Sequence, residues 1–467
     1  MKREKKGEVG EKKSKNEDVD PKIGKAKSLF QKAAGTRVKS TGLKTRHYNV
    51  FMIRYQQARN IIIEQLGKNS APPSAEGVAL PEAHGRVLAE EISTERDYPP
   101  FDRAARDGYA VRAAEAQEGS TLVCAGEIKA GDTPPVFPGA SECLQIMTGA
   151  AVPAGADAVV MIEYTHREGD AVRFARAGHI GQNIVRRGSE ARAGQIVLRP
   201  GARVGYAEMA LAAQVGAAQL RCATKPRVAI LSTGDEIEPI EQAPGPFQIR
   251  NSNAVSLAAQ VRLAGGEPLL IATAADREAD LRDKILAGLR EDLLILSGGV
   301  SMGKYDLVER VLREMNAEFF FDAVAIRPGK PAVFAKCQGK PVFGLPGNPL
   351  STMVTFELFV VPAIDLRSGA APRPLPFVHA TLAEDLNEKP GMTHFLPAWV
   401  AWPDSAGNAD NDVAGKVEVG QVKALRWQGS GDIAAMAKAN CFLVVAPEIV
   451  HVAAGRSVPI LLRKDAV

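Results

Sequence analysis

Val228-Ala229-Ile230-Leu231, running straight into Ser232-Thr233-Gly234-Asp235-Glu236, decides the fold of this chain. A short apolar run stopped by turn-forming residues reads as a buried strand. Helices and strands then alternate. Asn253–Leu263 reads as a helix closed by Gly265-Gly266, Pro268–Thr273 as a strand, Glu278–Arg290 as a helix and Leu293–Leu296 as a strand. A further helix opens at Tyr305-Asp306 and carries Leu307, Val308, Val311, Leu312 and Met315 on one face. Phe319–Ile326 and Pro341–Phe343 read as strands, and a helix from Pro349 to about Arg367 closes the unit. Such alternation predicts a mostly parallel sheet with helices on both faces, a three-layer α/β/α domain.

Four turn-forming loops punctuate this domain: Ser232-Thr233-Gly234-Asp235-Glu236, Ser297-Gly298-Gly299-Val300-Ser301-Met302-Gly303, Arg327-Pro328-Gly329-Lys330-Pro331 and Leu345-Pro346-Gly347-Asn348-Pro349. Each follows an apolar run, and in an open α/β sheet such loops gather where ligands bind. Small residues let backbone N–H groups approach an anion, and a helix N-terminus adds partial positive charge. Arg327 and Lys330 can clamp a polyphosphate. Glu236, Asp276 and Asp306 can share a Mg²⁺ ion with substrate phosphates, although Asp276 also suits a helix N-cap. Pro346-Gly347-Asn348-Pro349 reads first as structural, with a rigid wall that places a ligand against the sheet as its functional reading.

The chain has 467 residues, which calls for several domains, and a net charge of +4 that is unevenly placed. Residues 1–46 hold 15 Lys/Arg and 6 Asp/Glu, a net +9, which leaves −5 on the remainder. The body is thus mildly acidic, without a nucleic-acid signature. The basic segment 1–46 is expected to be disordered, either a solvated extension or a stretch preceding a true start at Met52. The five cysteines are far apart with no Cys-x-x-Cys pair, and the seven histidines lack metal-ligand spacing. Reduced core thiols in a cytoplasmic enzyme without a leader are expected. No apolar run approaches the ~20 residues of a membrane span.

Around the α/β domain, 226–371, lie β-rich and helical stretches. Ala58, Ile61, Ile62 and Leu66 share a helical face before Gly67 and Pro72-Pro73, and a second helix is expected over Pro81 to Glu91. Short strands at Leu122–Ile128, Cys143–Met147, Ala158–Tyr164 and Val172–Phe174 form a β module, 96–189. After a strand at Ile196–Leu198, helical periodicity returns at Tyr206–Val215. The β module thus reads as an insertion into a split helical N-terminal domain, 47–95 and 190–225. A C-terminal β-barrel-like domain, 372–467, follows Pro372-Arg373-Pro374.

One ordered set of motifs goes further than any of these alone. Pro100-Phe101-Asp102 with Asp107-Gly108-Tyr109-Ala110-Val111, Ile146-Met147-Thr148-Gly149-Ala150, Gly181-Gln182-Asn183-Ile184 and the Ser232, Ser297 and Leu345 loops occur in a single order. From about Met52 to its end the chain resembles the molybdopterin molybdenumtransferase (MoeA) family, which includes the E domain of gephyrin. The resemblance implies insertion of molybdate, as co-substrate, into adenylylated molybdopterin, with Mg²⁺-dependent release of AMP. It implies a homodimer whose site lies between the α/β, pterin-nucleotide-binding domain of one chain and the first two domains of the other. It also suggests a hand-off from the upstream adenylyltransferase, with no nucleic acid and no membrane involved.

Carried onto this sequence, the resemblance implies catalytic roles for Asp107, Glu236, Asp276 and Asp306. It implies substrate contacts by Thr148, Glu190, Arg327, Pro346, Pro349 and Ser430, to which the loop chemistry adds Ser297, Gly298, Gly299, Ser301 and Lys330. Some positions depart from the family pattern. Arg103-Ala104-Ala105-Arg106 stands where Asn-Ser-Ala-Met is common, Glu190 where Asp is usual and Asn251 in place of a frequent Asp, and an arginine expected near Met392 is absent. A non-catalytic scaffold of the gephyrin kind and the single-domain adenylyltransferase are the alternatives. The retained carboxylates speak against the first and the extra domains against the second.

Overall fold

The computed structural model describes residues 52–68, 72–299, 307–402 and 420–466. The expectation for residues 1–46 lies outside the described residues, as do Ser301 and Asp306.

Six strands form the central sheet: β1 Arg227–Thr233, β2 Glu267–Ala274, β3 Leu293–Ser297, β4 Glu318–Phe321, β5 Val333–Cys337 and β6 Lys340–Leu345. Their order is β2-β1-β3-β6-β5-β4, parallel from β2 to β6 and antiparallel at β5 and β4. Adjacent residues of the apolar strands face opposite sides. Val228, Ile230, Leu293 and Ile295 join one core with Leu257, Val261, Leu350 and Val354. Ala229, Leu231, Leu294 and Leu296 join another with Leu281, Ile285, Val308 and Val311. The helices supplying these layers are α3 Ser252–Ala264 and α6 Pro349–Arg367 on the first face. On the second face are α4 Glu278–Gly288 and α5 Leu307–Glu314. Helix α6, interrupted by a π turn at Phe356–Val360, is long and apolar enough to cross a membrane, yet 78% of it is buried inside the protein.

One expectation here is corrected. The apolar stretch Phe319–Ile326 is not one strand. Glu318–Phe321 pairs with β5, whereas Ile326–Arg327 leaves the sheet to pair with Thr393–His394. Strand β5 itself went unread, and it is held by Phe334, which stacks on Phe320 at 5.2 Å and on Phe343 at 5.0 Å. Asn251, which stands in place of a frequent Asp, caps α3 by accepting a hydrogen bond from Ala254 N at 3.0 Å.

The amino-terminal half departs more. Helix α1, Tyr55–Gly67, buries Tyr55, Ala58, Ile62 and Leu66 in the core of the α/β layer rather than in an N-terminal helical domain. The expected helix over Pro81 to Glu91 is a single turn, Leu80–Glu82, after which Val87 and Leu88 bridge to Arg203 and Cys222. That turn closes at Ala83, Gly85 follows at φ 75°, and the apolar pair is buried by strand pairing instead. Distant halves meet here: Ala75–Ala79 pairs with Gln219–Ala223 and Ile92–Ser93 with Ile196–Leu198, beside α2, Tyr206–Gln214.

Between those halves sits a six-stranded sheet spanning residues 108–174. Its second strand from one edge, Gly108–Val111, carries no expectation from sequence. A Cβ on Gly108 would lie 2.0 Å from Val160 O, so only glycine lets the strands approach. Beyond the α/β layer, the strands at 377–382, 393–401, 421–424, 441–445 and 457–462 pair in a closed ring.

Candidate functional site

Strands β1, β3 and β6 are parallel neighbours, so Thr233, Ser297 and Leu345 end at one edge of the sheet. The turns beyond them interlock. Gly298 N donates to Leu345 O at 3.1 Å, and Gly298 and Gly299 have φ of 93° and 63°. A Cβ on Gly299 would lie 2.7 Å from Val308 Cγ2 and 2.8 Å from Thr233 Oγ1. Glycine is therefore required for both conformation and space.

These turns line a cleft of about 730 Å³ whose walls include Glu236, Arg250, Asn253, Ser297, Pro346 and Pro349. A second cleft of about 320 Å³ adjoins it and holds Arg327, Lys330 and Ser430. Pro331, Pro346 and Asn348 border both clefts. Ser430 comes from the C-terminal unit and is placed by Leu350 N, which donates to Ser430 O at 3.0 Å. Neither Arg327 nor Lys330 makes an ion pair among the described residues. Two cations and a turn lined with N–H groups thus stand ready for an anion.

The carboxylates lie along the same edge. Glu236 folds back over Gly234, where an added Cβ would meet Glu236 Oε2 at 2.5 Å. Asp276 does not cap α4. The cap position is Arg277, and Asp276 N instead donates to Asp235 Oδ1 at 3.0 Å. The Asp276 carboxylate is exposed and has no partner among the described residues. No group of three metal-ligating side chains occurs among the described residues. That donor set suits Mg²⁺ carried largely by substrate phosphates, which needs only one or two protein carboxylates.

Asp107, Thr148 and Glu190 line neither cleft. They gather at a corner of the β module where three segments are stitched together. Ala104 N donates to Ala150 O at 2.9 Å and Ala105 N to Asn183 O at 2.8 Å. Thr148 donates to Asp107 Oδ1 from its backbone and its hydroxyl, which holds the carboxyl below its ordinary range. Glu190 pairs with Arg103 at 2.7 Å, so two of the unusual residues of this sequence neutralise each other. Asp97 and Asp102 are likewise taken, by Arg187 at 2.8 Å and Arg186 at 2.7 Å. Arg106, beside Asp107, has no ion-pair partner among the described residues.

Two residues of the larger cleft escaped the sequence reading. Arg250 donates through Nε to Ile240 O and Gln242 O, both at 3.1 Å, which fixes a cation at the cleft wall. Asn253 reads locally as the first residue of a helix, and only its contacts across two loops mark it out.

Three family models match in order: the MoeA N-terminal region (domain I and II) over residues 53–216, a probable molybdopterin binding domain over 229–366, and the MoeA C-terminal region (domain IV) over 379–462. A molybdopterin molybdenumtransferase of Haemophilus influenzae is 33% identical over 412 residues, covering 88% of this chain and 98% of its own length. The enzyme of that name from a Nostoc species is 36% identical over 321 residues, covering 67% of this chain and 74% of its own. Among solved structures, a molybdopterin biosynthesis MoeA protein of Pyrococcus horikoshii superposes with a TM-score of 0.68 at 27% identity, covering 88% of this chain and all of that one.

Proposed function

This chain belongs to the molybdopterin molybdenumtransferase (MoeA) family, and from that premise we infer that it joins molybdate to adenylylated molybdopterin with release of AMP. The observation that carries the reading is the pair of adjoining clefts. One offers the Ser297-Gly298-Gly299 turn and the other Arg327 and Lys330, across shared proline walls. An extended ligand with a diphosphate at its middle suits that shape.

Substrate and oxyanion are both anionic, so the first task is to bring them together against their repulsion. Arg327 and Lys330 offset that charge, and the Ser297 turn offers hydrogen bonds to the phosphates. Glu236 and Asp276 would hold Mg²⁺, which when bound supplies Lewis-acid polarisation of the phosphoryl oxygens. Pro346 and Pro349 keep the wall rigid. No protein nucleophile is called for, in keeping with a site built from cations, carboxylates and small residues.

Asp107 and Thr148 are read as completing the site from a second copy of the chain. That placement is supported by their absence from the lining of both clefts and by an apolar edge on the α/β layer. Leu269 and Leu270 on edge strand β2 are exposed, as are Val255 and Leu263 on α3. An unpaired strand edge with apolar side chains favours a symmetric partner. The five free, buried cysteines suit a reducing compartment such as the cytoplasm.

The deciding experiment incubates the protein with adenylylated molybdopterin, Mg²⁺ and either molybdate or tungstate, and follows AMP and cofactor. Oxyanion-dependent AMP release is expected. Substrate that stays intact with both oxyanions would refute the assignment.

A further inference from the structure

Asn253, the second residue of α3, joins two strand-end loops with one amide. Its Nδ2 donates to Ser297 Oγ at 2.9 Å and to Gly347 O at 2.7 Å. A carbonyl oxygen only accepts, so the amide has one orientation and cannot be turned round. That orientation has two consequences. Ser297 Oγ accepts from Asn253 and keeps its own proton to donate elsewhere. Asn253 Oδ1 is left buried with no hydrogen-bond partner among the described residues.

The residue's surroundings show where the Ser297 proton can be used. Asn253 and Ser297 both line the larger cleft, with Gly298, Gly299 and Gly347 beside them. We propose that Asn253 is a positioning residue for the reaction inferred above, aiming the Ser297 hydroxyl proton at the diphosphate. This rests on that reading of the function.

The test is a double-mutant cycle on AMP release, with both substrates varied. Wild-type protein is measured first. If it releases no AMP, the functional reading fails and the role of Asn253 falls with it. In active protein, Asn253→Ala is expected to lower kcat/KM for adenylylated molybdopterin by about ten- to a hundredfold, with the molybdate KM within about twofold of wild type. In a Ser297→Ala background the same change should cost less than about threefold, because the residue it acts through is gone. Asn253→Asp keeps the volume but replaces the donating amide by an oxygen facing Gly347 O, and should match Asn253→Ala. If Asn253→Ala fails to fold by circular dichroism, the Asn253→Asp arm decides. Effects that multiply independently with Ser297→Ala, unchanged kcat/KM, or a raised molybdate KM would each overturn the proposal.

Discussion

Thr148 donates twice to a single oxygen of Asp107, from its backbone N–H at 2.6 Å and from Oγ1 at 2.7 Å. Two hydrogen bonds to the ionised form favour it, and the backbone bond is the larger cause. A carboxyl held below its unfolded value stabilises the fold above a pH of about 4 and gives that contribution up as pH falls through its folded pKa. Thr148→Val removes the hydroxyl and spares the backbone donor. The Asp107 carboxyl should then titrate higher than in wild type yet below the ordinary aspartate value, as read by carbon NMR of the labelled side chain. An unmoved titration would mean that the hydroxyl is not bonded there.

Asp365 is fully buried on α6 and pairs with Arg203 at 2.9 Å and Arg373 at 2.7 Å. Through it, the amino-terminal segment around Arg203 and the linker after α6 are fastened to the α/β layer. Asp365→Ala leaves two partly buried guanidinium groups facing each other, and should cost about 3–5 kcal/mol in urea unfolding. A loss under ~1 kcal/mol would show that water replaces the carboxylate.

Assembly can be read from activity. Under the proposed function, Asp107 serves the clefts of a partner copy, so Asp107→Ala and Glu236→Ala should each be inactive alone. Refolded together in equal amounts, half the dimers are mixed and each mixed dimer holds one intact site. AMP release should then return to roughly a quarter of wild type under two-fold symmetry. Mixed dimers verified by mass spectrometry but without activity would place both residues in one chain's site.

Thiol chemistry offers a test of the core. Burial pushes Cys143 and Cys441 each up to about 12, and Cys124, Cys222 and Cys337 are buried as well. Native protein at pH 8 should react with a thiol reagent hardly at all, whereas all five cysteines should react in guanidinium. Rapid labelling of the native state would reveal an open core.

Much of the α/β layer was legible because its signals are local. Val228 to Leu231 and Leu293 to Leu296 alternate between the two helical layers one residue at a time, and their turns advertise themselves by composition. The Ser297-Gly298-Gly299 turn, Arg327, Lys330 and Pro346 were candidates on sequence alone. Strand β5 and the strand Gly108–Val111 were not: β5 is marked by the packing of Phe334 on Phe320 and Phe343, and Gly108–Val111 by its close approach to Val160.

By itself, the sequence determined the alternation of elements, the glycines that permit close turns and the charges available to an anion, because propensity, steric freedom and charge belong to individual residues. Only the tertiary structure decided which of those residues meet. The β1-β3-β6 order brings Thr233, Ser297 and Leu345 to one edge, and a cross-loop amide makes Asn253 part of the site. Pairing with Arg103 takes Glu190 out of the set of unpaired carboxylates. Packing on α6 claims α1 for the α/β core, although it opens the amino-terminal region in sequence. Strand order, hydrogen bonds between loops and burial of one helix face on another depend on residues far apart in the chain, and no local pattern encodes them.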